Sequence, residues 1–262
     1  MNKNQELVSI IMPSYNTGVY IAESIISVQN QTYENWELLI VDDCSTDNTD
    51  EIVNIFLQDK RIHFFKKSEN TGAAESRNKA LREAKGRWIA FLDSDDLWEK
   101  DKLEKQIEFM ESNHYAFSYT KYEEMDEDGT ATGILISGPP KIDKCSMYNY
   151  CWPGCLTVMY DVSIIGLIQI ENIRKNNDYA MWLKVIKKAN CYLLNEQLAF
   201  YRRGRKGSIS THKYSELIKW HYKLFREAEK QSLLTSSINT VRNIIFGCYK
   251  KIKYIRKVDN ND

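Results

Sequence analysis

The sequence predicts an α/β fold in which helices cover both faces of a sheet. Through the first 125 residues, apolar strand-like segments alternate regularly with helical segments, as in parallel sheets. Polar or acidic residues follow three of the predicted strands. The 262-residue chain is 43% hydrophobic and 12% aromatic, which suits a sizeable core. Ligands of such sheets bind outside the carboxyl ends of the strands, so these polar residues form the predicted site.

Four strand–helix pairs make up this first region. The predicted strands cover residues 7–13, 36–43, 61–67 and 86–93, and the predicted helices cover residues 19–31, 47–57, 73–84 and 99–112. We predict Asp47 as the N-cap of the second helix, because its side chain can accept from a free N–H of the first turn.

The pattern changes after Phe117. Strands are predicted at 116–126, 156–161 and 198–203, with a helix at 176–189, and residues 138–140, Gly-Pro-Pro, break the chain. The C-terminus carries one apolar stripe at helical spacing: Ile238, Val241, Ile245, Cys248, Ile252 and Ile255. Seven basic residues and no acidic one lie between 230 and 257. Two interpretations stay open: a helix packed on the domain with a solvated basic face, or a surface in contact with an anionic membrane.

Composition narrows the class of partners and the compartment. Lys+Arg and Asp+Glu both number 36, so net charge favours no nucleic-acid partner. The six cysteines include no CxxC pair, which favours a reduced cytoplasmic compartment and ordinary packing over thiol–metal ligation. No segment has the apolar length needed to cross a bilayer, and residues 1–16 do not form a secretory signal. We predict a cytoplasmic protein, with peripheral contact at the inner face of the membrane if the basic C-terminus binds lipid.

Three polar clusters mark the ends of predicted strands: residues 14–16, residues 42–43 and residues 93–96. The last cluster holds three carboxylates within four residues, and such close like charges repel. A hard divalent cation, Mg²⁺ or Mn²⁺, would relieve the repulsion through oxygen ligands, with phosphate completing the site. The alternative is that Asp95 or Asp96 caps the next helix.

Four segments carry a family resemblance: VSIIMPSYN (8–16), SVQNQTYENWELLIVDDCSTDNT (27–49), NTGAAESRNKAL (70–81) and GRWIAFLDSDDLW (86–98). Together they resemble the nucleotide-sugar half of the inverting family-2 glycosyltransferases, and the likeness continues through 176–189 and 201–210. Segments 117–130 and 154–161 are similar to teichuronic-acid-type and other surface-polysaccharide glycosyltransferases. The resemblance implies a GT-A fold, a mixed sheet flanked by helices. It further implies a transferase domain at 1–212, with a nucleotide-binding half (1–98) and an acceptor half (99–212), followed by a helical basic extension at 213–262.

The resemblance also implies roles for individual residues. Nucleotide and donor binding falls on Pro13, Ser14, Tyr15, Asp42, Asp43, Arg77, Asp93 and Ser94. Asp43 would accept from the nucleobase, with Asp42 as its substitute or as a residue that orients the loop. Asp95 would bind the metal and Asp96 would cap a helix. For Arg77, a surface arginine on a helix is the alternative.

Asp178 matches the catalytic base of the family, which accepts the proton of the acceptor hydroxyl during attack. Its alternative role is an N-cap of the helix that follows. Asn177 stands where relatives often have an acidic residue or glutamine, and no histidine follows Tyr201-Arg202. Arg205 and Lys206 would instead neutralise the diphosphate as a mobile lid, unless they belong to an ordinary surface loop. Residues 131–155, with Trp152, are predicted to form an acceptor-side loop.

The predicted activity is transfer of a sugar from a nucleoside diphosphate, UDP by preference, to an acceptor hydroxyl with inversion. The acceptor would be a lipid-linked or growing surface saccharide. A sugar nucleotidyltransferase is one alternative, although IIMPSYNTG (10–18) lacks the basic residues that hold a triphosphate. A non-catalytic nucleotide-sugar-binding scaffold is the other.

Overall fold

The computed structural model describes residues 6–173, 175–204 and 214–258. In the first half, the strands are β1 (Val8–Ser14), β2 (Trp36–Asp42), β3 (Ile62–Lys66), β4 (Trp88–Phe91) and β5 (Leu97–Trp98), and the helices are α1 (Ile21–Gln29), α2 (Thr49–Phe56), α3 (Ala73–Glu83) and α4 (Lys102–Asn113). The predicted α/β fold is confirmed, and strands and helices alternate in this half as the sequence predicts.

The second half supplies further strands and most of the small elements. Its strands are β6 (Phe117–Met125), β7 (Ala131–Ile136), β8 (Lys141–Ile142), β9 (Met159–Asp161), β10 (Cys191–Arg202) and β11 (Ile255–Lys257). Its α-helices are α5 (Lys144–Asn149), α6 (Val162–Ile165), α7 (Asn177–Val185), α8 (Tyr214–Lys223) and α9 (Leu233–Lys253), with a 3₁₀ turn at Cys155–Thr157 and a π-helical turn at Leu224–Ala228.

The strands form one mixed sheet. The order is β11-β7-β6-β9-β4-β1-β2-β3, and β10 joins the sheet beside β6 and also pairs with β5 and β8. β1 is parallel to both β2 and β4, and β2 is parallel to β3. β9 runs antiparallel to β4 and β6 and so divides the parallel strands of the first half from those of the second. The carboxyl ends of β1, β2 and β4 consequently lie together at one edge.

Both faces of β1, β2 and β4 are buried, as sheet pleating predicts for strands covered on each side, whereas the edge strand β3 is only half-buried. Val8, Ile10 and Met12 of β1 point into one apolar cluster, while Ile11 points into the other. Leu39 joins the second cluster as well. The last residues of β1 and β2, Ser14 and Asp42, lie outside both apolar clusters.

Several element boundaries differ from the prediction. The second helix begins after Asn48, not Asp47, although Asp47 accepts from the N–H of Thr49 at 3.1 Å. The helix after residue 98 begins only at Lys102, with Asp101 at the N-cap, so the predicted cap role of Asp96 is wrong. α7 has Asn176 at its N-cap, so Asp178 lies inside the first turn and is not the cap.

The predicted acceptor-side loop is also wrong as a loop, because residues 131–149 contain β7, β8 and α5. Trp152 is only 3% exposed, and its indole N–H donates to the Ser146 carbonyl at 2.8 Å. It packs edge-to-face on Tyr150 and Phe246 as a core residue.

The C-terminal helix α9 has the predicted apolar period, but its apolar residues face outward and its polar residues face the domain. Most of the apolar stripe is exposed on α9, whereas Ile255 belongs to β11 and pairs with Ile136 of β7. The helix packs on the domain through its polar residues, so of the two open interpretations the one that buries the apolar stripe against the domain is wrong. Within the described ranges, no helix has the length and apolarity required of a membrane span.

Candidate functional site

The loops after β1 and β2 form one interlocked wall of the site. The N–H of Asp43 donates to the Ser14 carbonyl at 2.8 Å, and the N–H of Asn16 donates to the Ser45 hydroxyl at 2.8 Å. Asn16 adopts a left-handed backbone conformation with φ 49°, which asparagine tolerates better than most residues. Pro13 lies within β1, next to this wall. Tyr15 follows the strand and is 44% exposed.

Asp42 and Asp43 are adjacent but face different partners. Asp42 is fully buried and accepts from the backbone N–H of Ser45 at 2.8 Å and from the Ser45 hydroxyl. Two roles are predicted for Asp42, and these hydrogen bonds fit the one in which it orients the loop. Asp43 reaches across to the turn before α3.

The Asp43 carboxylate is held by the turn at 71–72 and by a lysine. It accepts from the N–H of Thr71 at 3.0 Å, from the N–H of Gly72 at 2.7 Å and from Lys67 Nζ at 2.5 Å. Gly72 has φ +92°, a conformation that favours glycine and turns its N–H toward the carboxylate. A carboxylate has about four acceptor positions, so one remains for a ligand donor.

Arg77 lies at the centre of the site. It is 6% exposed, which excludes the alternative of a surface arginine. Its Nη2 donates to Asp93 Oδ1 at 2.5 Å and its Nη1 donates to Asn177 Oδ1 at 2.9 Å. Since Asp93 follows β4 and Asn177 begins α7, one guanidinium joins the end of the sheet to the helix that carries Asp178.

Asp178 lies within electrostatic range of this ion pair. Burial raises the pKa of Asp178, the charge of Arg77 opposes the rise, and Asp93 adds to it. A carboxylate with a raised pKa is a better proton acceptor than an ordinary aspartate when ionised. Cys155 lies nearby, and burial raises the pKa of its thiol, so it remains protonated and unreactive.

The three carboxylates of the Asp93–Asp96 cluster differ in burial. Asp93 and Asp95 are half-buried, whereas Asp96 and Ser94 are buried. Asp96 Oδ1 accepts from the N–H of Arg202 at 2.9 Å, but Asp96 Oδ2 is buried and, within the described residues, has no hydrogen-bond partner. Burial and then the charges of Asp95 and Asp93 raise the pKa of Asp96 well above its usual range.

Arg202 was not anticipated from the sequence, although it organises this cluster. It is 2% exposed, and its Nε donates to the Asp95 carbonyl at 2.8 Å. Its Nη2 donates to Glu23 at 2.6 Å and its Nη1 to the Glu127 carbonyl at 2.8 Å. Lys67 was likewise missed, because the contacts of both residues join segments far apart in the chain.

Asp93 and Asp95 could hold a hard divalent cation together with ligand oxygens. After burial, the charges of Asp95 and Asp93 add to the rise in the pKa of Asp96, so the three carboxyl groups of this loop lie close enough to act on one another. Across residues 6–173, 175–204 and 214–258, no group of three or more His, Cys, Asp or Glu side chains could hold a metal ion on its own. One or two carboxylates with phosphate oxygens are the usual donor set of Mg²⁺ sites, and the residues present fit it. Arg205 and Lys206, the predicted lid, lie outside the described residues.

Comparisons with known proteins define the class. The fold is that of the GT-A glycosyltransferases: the S. aureus TarS structure with UDP-GlcNAc superposes with a TM-score of 0.68 at 20% identity, covering 95% of this chain and 74% of that one. A Pyrobaculum calidifontis mannosyltransferase solved with GDP-Man and Mn²⁺ superposes with a TM-score of 0.65 at 14% identity, covering 95% and 76%.

Sequence comparison gives the family. Residues 9–146 match the Glycosyl transferase family 2 model, and the chain belongs to that family of enzymes. TuaG of Bacillus subtilis, named as a teichuronic acid biosynthesis glycosyltransferase, is 46% identical over 88% of this chain and 91% of its own length. The Escherichia coli protein WfaP, named as a UDP-Glc:α-D-GlcNAc-diphosphoundecaprenol β-1,3-glucosyltransferase, is 42% identical over 82% of this chain and 84% of its own. The predicted family is confirmed, and membership in it sets aside the nucleotidyltransferase and scaffold alternatives.

Proposed function

We propose that this glycosyltransferase moves a sugar from a UDP-sugar to a hydroxyl of a lipid-linked or growing surface saccharide, with inversion at the anomeric carbon. The observation that carries the proposal is the Arg77 bridge, which brings Asp93 at the end of β4 next to the helix of Asp178. Asp93 would then serve the donor side and Asp178 the acceptor side, with Arg77 between them.

The chain's own groups account for donor binding. Asp43 would accept from the uracil N3–H with its remaining acceptor position, while Pro13, Ser14 and Tyr15 line the base. Asp42 would keep the loop in place through Ser45. Arg77, Asp93 and Ser94 would face the ribose and the donor sugar.

Asp178 would act as the general base. As the acceptor hydroxyl attacks the anomeric carbon, its proton passes to the Asp178 carboxylate, and the bond from the anomeric carbon to the diphosphate oxygen breaks. The products are the glycoside and UDP, and the proton leaves Asp178 for solvent. Attack on the face opposite UDP inverts the configuration.

Asp95, with Asp93 beside it, would hold Mg²⁺ or Mn²⁺, which when bound supplies stabilisation of the charge that develops on the leaving diphosphate. Arg205 and Lys206 would add positive charge over the same group. The names of WfaP and TuaG and the UDP-GlcNAc in TarS support a UDP-sugar donor and a surface-saccharide acceptor.

A donor panel tests the proposal. Release of the nucleoside diphosphate is measured with UDP-Glc, UDP-GlcNAc and GDP-Man, each with and without a GlcNAc-diphospho-lipid acceptor. We expect acceptor-stimulated UDP release from one of the UDP-sugars and little release from GDP-Man. Stimulated release from GDP-Man alone would contradict the UDP assignment. An α-linked product from an α-linked donor would contradict inversion.

A further inference from the structure

Helix α9 exposes its apolar face and buries its polar face. The exposed apolar residues are Leu233, Leu234, Ile238, Val241, Ile244, Ile245, Tyr249 and Ile252, with Ile252 85% exposed and Leu234 72% exposed. The buried residues of the same helix are Ser236, Asn239, Thr240, Asn243 and Lys250. The ordinary surface helix has the reverse arrangement, in which the apolar stripe faces the core.

Specific hydrogen bonds hold this orientation. Asn243 Nδ2 donates to the Tyr148 carbonyl at 3.1 Å and to the Tyr179 hydroxyl at 3.2 Å, and Lys250 Nζ donates to the Trp152 carbonyl at 2.8 Å. Rolling the helix to bury its apolar stripe would break these bonds and leave buried polar groups without partners, which is costly. β11 pairs with β7 directly after the helix and fixes its end. The exposed stripe is therefore a stable feature of the fold.

An exposed apolar stripe of this length calls for a partner. The charge around it indicates which kind. Residues 230–257 contain no acidic side chain, and exposed basic residues border the stripe, among them Lys251, Lys253 and Arg256. A second copy of this chain would oppose one basic rim with another, whereas anionic lipid headgroups complement it.

We propose that α9 lies in the plane of an anionic membrane surface, with its apolar stripe among the lipid chains and its basic residues at the headgroups. The polar face of the same helix donates hydrogen bonds to Tyr148, to Trp152 and to Tyr179, the neighbour of Asp178. Membrane contact and the acceptor side of the pocket consequently belong to one packed unit. This link to a lipid-borne acceptor rests on the proposed function, but the surface contact itself does not.

Vesicle binding by the full chain tests the proposal. Co-sedimentation is measured with phosphatidylcholine vesicles with and without phosphatidylglycerol, at low and high ionic strength. The test variant carries Ile245→Ser and Ile252→Ser, and the matched control carries Ile55→Ser and Ile164→Ser, which remove two other isoleucines, each 60% or more exposed, from α2 and α6. Thermal unfolding of each variant checks that the fold is intact.

The parent and the control should bind phosphatidylglycerol vesicles, more weakly as salt rises, and the test variant should bind about tenfold or more weakly. Equal binding by parent and test variant would overturn the proposal, as would absence of parent binding. A parent dimer that the test variant converts to monomer, without vesicle binding, would instead assign the stripe to a second copy. UDP release with a water-soluble acceptor, measured on the same variants, reports separately on the proposed function and should be unchanged.

Discussion

Arg77 Nη2 and Asp93 Oδ1 lie 2.5 Å apart and form the ion pair on which the pocket is organised. The other terminal nitrogen of Arg77 donates to Asn177 Oδ1 at 2.9 Å. Asn177 therefore supplies a neutral acceptor, and the positive charge of Arg77 acts on both Asp93 and Asp178. Arg77 is the cation that opposes the effect of burial on the pKa of Asp178.

Removal of Arg77 should shift the pH dependence of transfer. Burial raises the pKa of Asp178 and Arg77 opposes that rise, while Asp93 adds to it. In Arg77→Met, Asp178 keeps its proton to higher pH, so the acid limb of kcat/KM should move to higher pH by about one unit or more. Arg82→Met, on the exposed side of the same helix, is the control and should leave the limb in place. If the acid limb of Arg77→Met does not move, Arg77 does not influence the pKa of the catalytic base.

Asp95 and Asp96 should respond differently to substitution. Asp95→Ala should abolish the gain in UDP affinity that Mn²⁺ provides, because the proposed ligand is lost. Asp96→Asn should keep that gain, since Oδ1 still accepts from the N–H of Arg202. Calorimetric titration of UDP with Mn²⁺ or with EDTA makes the comparison. UDP affinity that is indifferent to Mn²⁺ in the parent would refute the metal role of this loop.

Lys102 should lower stability at neutral pH. It is fully buried, its Nζ lies 3.9 Å from the Trp98 ring centroid, and burial lowers its pKa to about 7. The unfolded chain binds this proton up to about pH 10.4, so between about pH 7 and pH 10 the folding free energy improves as pH rises.

Lys102→Met removes that penalty while keeping the length of the side chain. At pH 7 the variant should be more stable by about 1 kcal/mol or more, roughly 2–4 °C in Tm per kcal/mol. The difference should shrink toward pH 10, as followed by thermal unfolding at several pH values. Lys105→Met on the same helix removes ion pairs with Asp101 and Glu196 but no buried amine, so its effect on stability should not vary between pH 7 and pH 10. A constant difference for Lys102→Met would argue against a buried titrating amine.

The elements that sequence predicted well are those in which local pattern and tertiary environment agree. Apolar runs such as 36–43 became buried strands because both sheet faces are covered, and the polar residues that follow them meet at one edge. The family motifs point to Arg77, Asp93 and Asp178, and the structure brings Arg77 into contact with Asp93 and with Asn177, the neighbour of Asp178. The hydrogen bond from Arg77 to Asn177 could not be read from sequence, since it joins side chains 100 residues apart.

Long-range partners account for the errors. Asp96 was expected to cap a helix, but its carboxylate is taken by the backbone of Arg202, which is 106 residues away. The helical spacing of the apolar residues predicts the stripe of α9. This spacing does not tell which face of the helix contacts the domain, because backbone carbonyls of the domain can bind the polar face. Asn243 and Lys250 find such carbonyls on Tyr148 and Trp152, and the polar face is buried as a result.

The central claim is that Asp178 accepts the proton of the attacking hydroxyl. The most direct measurement compares the parent with Asp178→Asn for two quantities, the single-turnover rate of sugar transfer to acceptor and the affinity for UDP. If Asp178 is the base, Asp178→Asn should lose transfer by at least about 100-fold while UDP affinity changes little, because the amide cannot accept that proton. Transfer by Asp178→Asn at a rate near that of the parent would contradict it.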